Sequence, residues 1–188
     1  LSRSAAGDAI QGTGYGGLQP VADENTGLHL LKLPPGFRYT TYGWTGDAMR
    51  NGQPTPAMHD GMAVIADQDG EVILCRNHEI EGRGPSFGEP SITYDPQGPA
   101  GCTNLKFNTA TGQFEECWIS LAGTLRNCAG GPTPWGTWLT CEETVYGSGE
   151  RTAVRSRDFA RDHGWVFEVP AHGSPPNEPI EATGRSVH

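Results

Sequence analysis

Glycine and proline are the residues that most constrain how this chain folds. Its 188 residues include 27 glycines and 15 prolines, nearly twice the share found in an average globular domain. Glycine in an element's interior costs conformational entropy, and proline lacks the N–H that helices and sheets use. Long helices are therefore excluded over most of the chain, and short strands joined by specific turns are expected.

Charge and hydropathy exclude two classes of partner. The 13 basic and 22 acidic residues give a net charge of −9, and the basic residues form no run that would follow a phosphate backbone. The longest apolar run, residues 62–66, is far shorter than the roughly 20 residues that span a bilayer. Leu1 is followed by small and polar residues, as in a chain whose export signal has been removed. We expect no nucleic-acid partner and no membrane span.

Apolar runs and turn residues predict two β-hairpins. Residues 61–66 and 71–76 flank Asp67-Gln68-Asp69-Gly70, and residues 103–108 and 113–120 flank a turn that ends at Gly112. Further strands are predicted at residues 28–33, 37–42, 135–141 and 165–170. Residues 1–27 are predicted to be an extended N-terminal arm. Residues 28–188 are predicted to be one all-β domain.

The spacing of the two hairpins favours a β-propeller. Gly61 and Thr103, at which they begin, are separated by about 42 residues, a period in the range of propeller blades. A β-sandwich is the alternative, because similar hairpins occur there too. On the propeller reading, 188 residues provide only about four blades. We therefore expect this chain to be the N-terminal part of a longer propeller, with the C-terminal blades carried elsewhere or on a second chain.

Residues with ligand chemistry cluster where predicted strands begin or end. Carboxylate and amide oxygens suit a hard cation such as Ca²⁺, whereas a thiolate prefers a softer transition metal, so an acidic set with one thiolate suggests a mixed site. The three clusters are His59-Asp60-Gly61, Arg76-Asn77-His78-Glu79, and the stretch that runs from Asn127 and Cys128 to Cys141, Glu142 and Glu143.

The chain resembles the PhoX-type alkaline phosphatase family. The resemblance rests on residues 20–46, 59–62, 76–79 and 103–105, and above all on residues 121–143, which read LAGTLRNCAGGPTPWGTWLTCEE. It implies a six-bladed β-propeller that is exported by the twin-arginine route to the periplasm or the extracellular space. It also implies a hydrolase that releases inorganic phosphate from phosphate monoesters during phosphate acquisition.

The resemblance further implies a metal cluster of two oxo-bridged ferric ions (Fe³⁺) with calcium (Ca²⁺). Matched position by position, its ligands fall on Cys128, Glu79, Glu142 and Glu143, with Cys141 as the alternative thiolate. The family continues the motif at residues 184–188 with a further metal-site Glu, so we expect residues 1–188 alone to hold an incomplete site and to be inactive.

Two other functions remain open at this point. A calcium-dependent propeller lactonase or esterase needs oxygen ligands but no thiolate. A non-enzymatic propeller would use calcium for stability and bind a partner.

Overall fold

The computed structural model describes residues 14–146, 159–173 and 178–180. Within this part of the chain there are nine β-strands in three sheets and a single 3-10 turn at Pro90–Ile92, and no α-helix. The predicted all-β fold class is confirmed. No helix among these residues is long and apolar enough to cross a membrane.

The chain divides into two compact units, Leu1–Tyr42 and Gly43–His188. In the first unit, β1 (Gln19–Val21) pairs antiparallel with β2 (Leu31–Leu33). Strand β1 lies within the predicted extended arm, and only the last three residues of the predicted strand 28–33 form β2. No strand forms at the described residues 37–42.

The buried carboxylate of Asp23 organises this first unit. It accepts hydrogen bonds from the backbone N–H groups of Thr26 (3.0 Å) and Thr41 (2.7 Å), and from both threonine hydroxyls. Four donors on one side chain replace the ladder hydrogen bonds that such short strands cannot supply.

A four-stranded meander forms the centre of the second unit. Its strands β3 (His59–Gln68), β4 (Glu71–His78), β5 (Ala100–Asn108) and β6 (Gln113–Thr124) pair antiparallel in chain order. The β3–β4 turn has positive φ at both Asp69 (54°) and Gly70 (83°). That combination is typical of the two-residue turn that matches strand twist, and Asp-Gly is a favoured sequence for it.

The 42-residue recurrence has a different meaning from the one predicted. The two hairpins pair with each other through β4 and β5, from Glu71↔Asn108 to His78↔Gly101. They are therefore two halves of one sheet, and their spacing is not a blade-to-blade period. Because none of the three sheets of the described residues is closed, the ring and its number of blades stay predictions.

A second sheet contains β7 (Asn127–Pro132), β8 (Thr137–Glu142) and β9 (Val166–Pro170). Strand β7 begins shortly after β6 ends, and Gly43–His188 contains the core that joins the two sheets. Ile73, Cys75 and Leu121 of the meander pack there with Trp138 and Phe167 of the second sheet. This packing sets the ends of β3 and β4 beside β7.

Candidate metal centre

Asp60 and Glu79 lie at the same end of the first hairpin. His59 pairs with His78 across the antiparallel strands β3 and β4, and Asp60 and Glu79, which follow them in the sequence, lie diagonally across this pair. The backbone N–H of Glu79 donates to the carbonyl of Met58 (2.8 Å), which extends the pairing by one step. The ladder is irregular between His59 and Met62, as at a β-bulge, and Asp60 lies within that irregularity.

Cys128 approaches these carboxylates from the second sheet. One thiol Sγ and one oxygen each from Asp60 and Glu79 all lie within 4.8 Å of one another. Gly61 permits this approach, because a Cβ at that position would lie 2.6 Å from the Cys128 carbonyl oxygen. The sequence prediction placed Cys128 and Glu79 in one site, and the structure brings these two residues together.

Cys141, the alternative thiolate, has different surroundings. It lies on β8, pairs with Val166 of β9 and is half-buried. Burial raises the pKa of its thiol, and no carboxylate contributes to that shift. Among the described residues, Cys128 is the thiol that belongs to a cluster of potential metal ligands. All five cysteines are free thiols, and Cys75, Cys102 and Cys117 are buried.

The ligand cluster is strongly anionic. Burial raises the pKa of the Cys128 thiol to about 11, and the negative charges of Asp60, Glu143 and Glu79 act in the same direction. Burial and the neighbouring Asp60 also raise the pKa of Glu79. A bound cation has the opposite effect on these pKa values: it lowers them, because it stabilises the deprotonated forms that its ligands require.

Arg126 neutralises part of this charge. One guanidinium nitrogen lies 3.1 Å from Glu143 and 3.4 Å from Glu79, and the other lies 4.0 Å from Glu81. The backbone of Arg126 has a φ of 48°, which is uncommon for a residue with a side chain. Its N–H donates to Ile80 (3.1 Å), and its carbonyl accepts from Glu143 (2.9 Å). Arg126 thus connects Glu143 to Glu79 at the edge of the cluster.

Glu142 has a different environment from Glu143. Its side chain is fully buried, and it accepts hydrogen bonds from the backbone N–H groups of Leu125 (2.8 Å), Gly164 (2.6 Å) and Trp165 (3.0 Å). A fourth bond joins it to the ring of His163 (2.7 Å). Both carboxylate oxygens are therefore engaged in holding neighbouring segments. Its role as a metal ligand stays a prediction from the family pattern.

The two histidines of the hairpin lie beside the cluster and belong to no ligand group of the described residues. His78 is fully buried between the Ala57 carbonyl and the Thr103 hydroxyl, both at 2.9 Å. Burial lowers its pKa to about 3, and nearby Arg76 contributes in the same direction. The ring of His59 contacts the Pro56 carbonyl at 2.9 Å. Both rings thus engage the backbone around the site.

Asp60 is the cluster residue that the family pattern does not assign. It appears in the sequence only as one of several carboxylates suited to calcium. An uninterrupted ladder counted from the Asp-Gly turn would pair Asp60 with Glu79, so the sequence indicates that the two residues lie near each other. The two register shifts of the hairpin pair His59 with His78 instead, and Asp60 and Glu79 still lie together in the cluster. The predicted motif at residues 184–188 lies outside the described residues.

The comparisons with known proteins agree with the resemblance seen in the sequence. The family model described as alkaline phosphatase PhoX matches residues 13–115 and 92–188, and these two overlapping segments include every residue of the ligand cluster. No curated protein and no solved structure matches the chain. Since the matched segments span most of the sequence, this chain belongs to the PhoX alkaline phosphatase family.

Proposed function

We propose that this chain contributes a metal site to an enzyme that hydrolyses phosphate monoesters. The observation that carries the proposal is the convergence of two carboxylates and one thiol, Asp60, Glu79 and Cys128, from two different sheets. Membership of the PhoX family supports the reaction class. The proposed setting is periplasmic or extracellular, with phosphate acquisition as the role.

The donor set fits the metals that the family resemblance implies. A thiolate suits iron, and carboxylate oxygens suit both ferric iron and calcium. Asp60, Glu79 and Cys128 would hold the metal, with Glu143 available at the edge through its contact with Arg126. Glu142 remains a candidate ligand from the resemblance. A lactonase-like calcium site would have no use for the thiol of Cys128, which is why we favour the phosphatase.

In the proposed catalysis, the residues of the chain hold the metal ions and balance charge at the site. Bound metal ions would neutralise the charge of a phosphate ester and activate water near neutral pH. The carboxylates and the thiol of the chain hold this positive charge in one place, which matters because phosphoryl transfer depends mainly on positioning and electrostatics. Arg126 pairs with Glu79 and Glu143 and offsets part of their charge while no metal is bound.

The test uses the full-length protein and a chromogenic phosphate monoester. With iron and calcium supplied, we expect hydrolysis that a chelator abolishes and that the metals restore. The Cys128→Ser variant is expected to lose the thiolate-to-iron absorption and most activity, whereas Cys141→Ser retains both. Hydrolysis that persists after metal removal would contradict the proposal. Inactivity with both metals bound would favour the non-enzymatic alternative.

A further inference from the structure

The amide of Asn77 is the polar group on which both sheets of the second unit converge. Asn77 is the penultimate residue of β4 and is fully buried. Its oxygen accepts hydrogen bonds from the Thr140 hydroxyl (2.8 Å), the Trp138 indole (2.9 Å) and the Cys102 thiol (3.2 Å). Three donors occupy this oxygen, so the amide points its nitrogen in the opposite direction, toward β7.

The nitrogen of the same amide holds the segment that carries the thiol. It donates to the carbonyls of Cys128 (2.8 Å) and Ala129 (3.0 Å). These two residues lie where the β7–β8 ladder is irregular: Asn127 pairs with Glu142, and the next pair is Gly130 with Thr140. Three steps on β7 therefore match two on β8, as in a β-bulge, and bulges redirect side chains. Asn77 binds both carbonyls at this bulge.

We propose that Asn77 is a positioning residue that aims the Cys128 thiol at Asp60 and Glu79. The inference rests on the metal site proposed above and assigns Asn77 a part in it other than ligation. The amide oxygen accepts from three donors, whereas the amide nitrogen donates to the carbonyls of two consecutive peptides, Cys128–Ala129 and Ala129–Gly130. Metal affinity depends on such supporting hydrogen bonds as well as on the ligands themselves.

The chain contains a matched control in Asn104 of β5. Asn104 is also fully buried, and its amide nitrogen also donates to two consecutive carbonyls of the second sheet, those of Pro170 (3.0 Å) and Ala171 (3.2 Å). The two asparagines thus make the same kind of contact between the two sheets. Of the two, Asn77 is the one whose contact is with the residue that carries the candidate ligand thiol.

The first experiment measures how fast iodoacetamide alkylates Cys128 in the metal-free, full-length protein, with each cysteine followed by peptide mass mapping. In Asn77→Ala and Asn77→Asp, we expect the Cys128 rate to rise about 5- to 30-fold, the factor that corresponds to losing one or two hydrogen bonds that hold the segment closed. In Asn104→Ala and Asn104→Asp, the Cys128 rate is expected to stay within about twofold of the unmodified protein.

A second readout follows the thiolate in the presence of cobalt(II). The unmodified protein is expected to give a thiolate-to-cobalt absorption band that Cys128→Ser removes. The Asn77 variants are expected to shift or weaken this band, whereas the Asn104 variants retain it even where their melting temperatures fall equally. Trp138→Phe removes one donor to Asn77 and keeps an aromatic ring, so it provides a milder variant with a smaller shift in the same direction.

The outcomes separate the two proposals. If Asn77 and Asn104 variants of equal stability show the same Cys128 alkylation rate and the same band, the positioning role of Asn77 is wrong. If the unmodified protein gives no cobalt–thiolate band, the metal site is wrong. The alkylation rates then still decide whether Asn77 positions Cys128.

Discussion

Glu142 and His163 meet in the protein interior, where carboxylate Oε1 and ring Nδ1 lie 2.7 Å apart and neither side chain is exposed. The next residue, Glu143, is partly exposed and pairs with Arg126. Two consecutive glutamates of one family motif thus have different environments. Glu142 accepts hydrogen bonds from buried backbone N–H groups, whereas Glu143 lies at the edge of the ligand cluster.

Glutamine variants of these two residues are expected to separate stability from metal binding. Glu142→Gln removes charge-assisted hydrogen bonds from a buried site, so we expect it to lower the free energy of unfolding by about 2–4 kcal/mol. Glu143→Gln is expected to leave stability nearly unchanged and to weaken metal binding about tenfold. Denaturant unfolding and calcium titration provide the two measurements. If Glu142→Gln instead impairs only metal binding, Glu142 is a ligand as the resemblance implies.

Replacing Arg126 is expected to strengthen cation binding. Its guanidinium occupies the space between Glu79 and Glu143 and competes with a metal ion for their charge. Each partly exposed ion pair contributes about 0.2–1 kcal/mol, so losing the two pairs in Arg126→Met should tighten calcium binding by roughly 2- to 30-fold. Arg50→Met, which breaks the pair with Glu116, is the control and should leave the calcium affinity unchanged. Weaker binding in Arg126→Met would show that Arg126 organises the site instead of competing for it.

The Asp60→Asn variant is expected to make the Cys128 thiol more acidic. The charge of Asp60 helps to raise the pKa of this thiol to about 11, so its removal favours the thiolate. The pH at which alkylation of Cys128 reaches half its maximal rate in metal-free protein should therefore fall. Metal affinity should fall as well, because a carboxylate ligand is lost. Asp67→Asn, on an exposed residue at the other end of β3, is the control; an equal shift there would refute the role of Asp60.

Asp23 is expected to make the first unit sensitive to acid. Burial alone would raise its pKa, but the hydrogen bonds from Thr26 and Thr41 outweigh this effect and hold it well below the ordinary value. A carboxyl whose pKa is lower in the folded state stabilises the fold above its unfolded pKa of about 4, and this stabilisation is lost as the pH falls below that value.

Hydrogen exchange at the Thr41 amide measures this effect, because that N–H donates to Asp23 at 2.7 Å. In Asp23→Asn, the Thr41 amide should exchange faster than in the unmodified protein at about pH 6, and this difference in rate should shrink at about pH 3. Glu24→Gln is the control, since the Glu24 side chain forms an exposed ion pair with Arg38. A difference that stays constant between the two pH values would contradict the expectation.

The strands of the meander were predictable because their signals are local. Alternating apolar residues and the Asp69-Gly70 turn define the first hairpin without any knowledge of the rest. The pairing of β4 with β5 brings together residues far apart in sequence, and no local pattern specifies it. This is why the 42-residue recurrence suggested two blades where one sheet forms. Strand β7 was missed because Gly130 and Gly131 give it little strand propensity.

The candidate site was predictable in part. The structure brings together Glu79 and Cys128, two residues that the family motif and the strand ends both indicate. The environment of Glu142 had a readable signal: along β8, Trp138, Thr140 and Glu142 alternate on the buried face. Acidic residues at the end of a strand suggest a solvent-exposed turn or a metal site. That expectation is why the burial of Glu142 was not predicted from the alternation. The contacts of Asn77 depend on a bulge in another sheet and had no local signal.

The ligands of the cluster come from separate sheets, since Asp60 and Glu79 belong to the first hairpin and Cys128 belongs to β7. A cation held by all three would cross-link the sheets, much as a disulfide joins distant segments. Loading the metal would then stabilise the second unit by mass action. At Gly61, where a Cβ would meet the Cys128 carbonyl at 2.6 Å, an added methyl group would lengthen the span of this cross-link and weaken it.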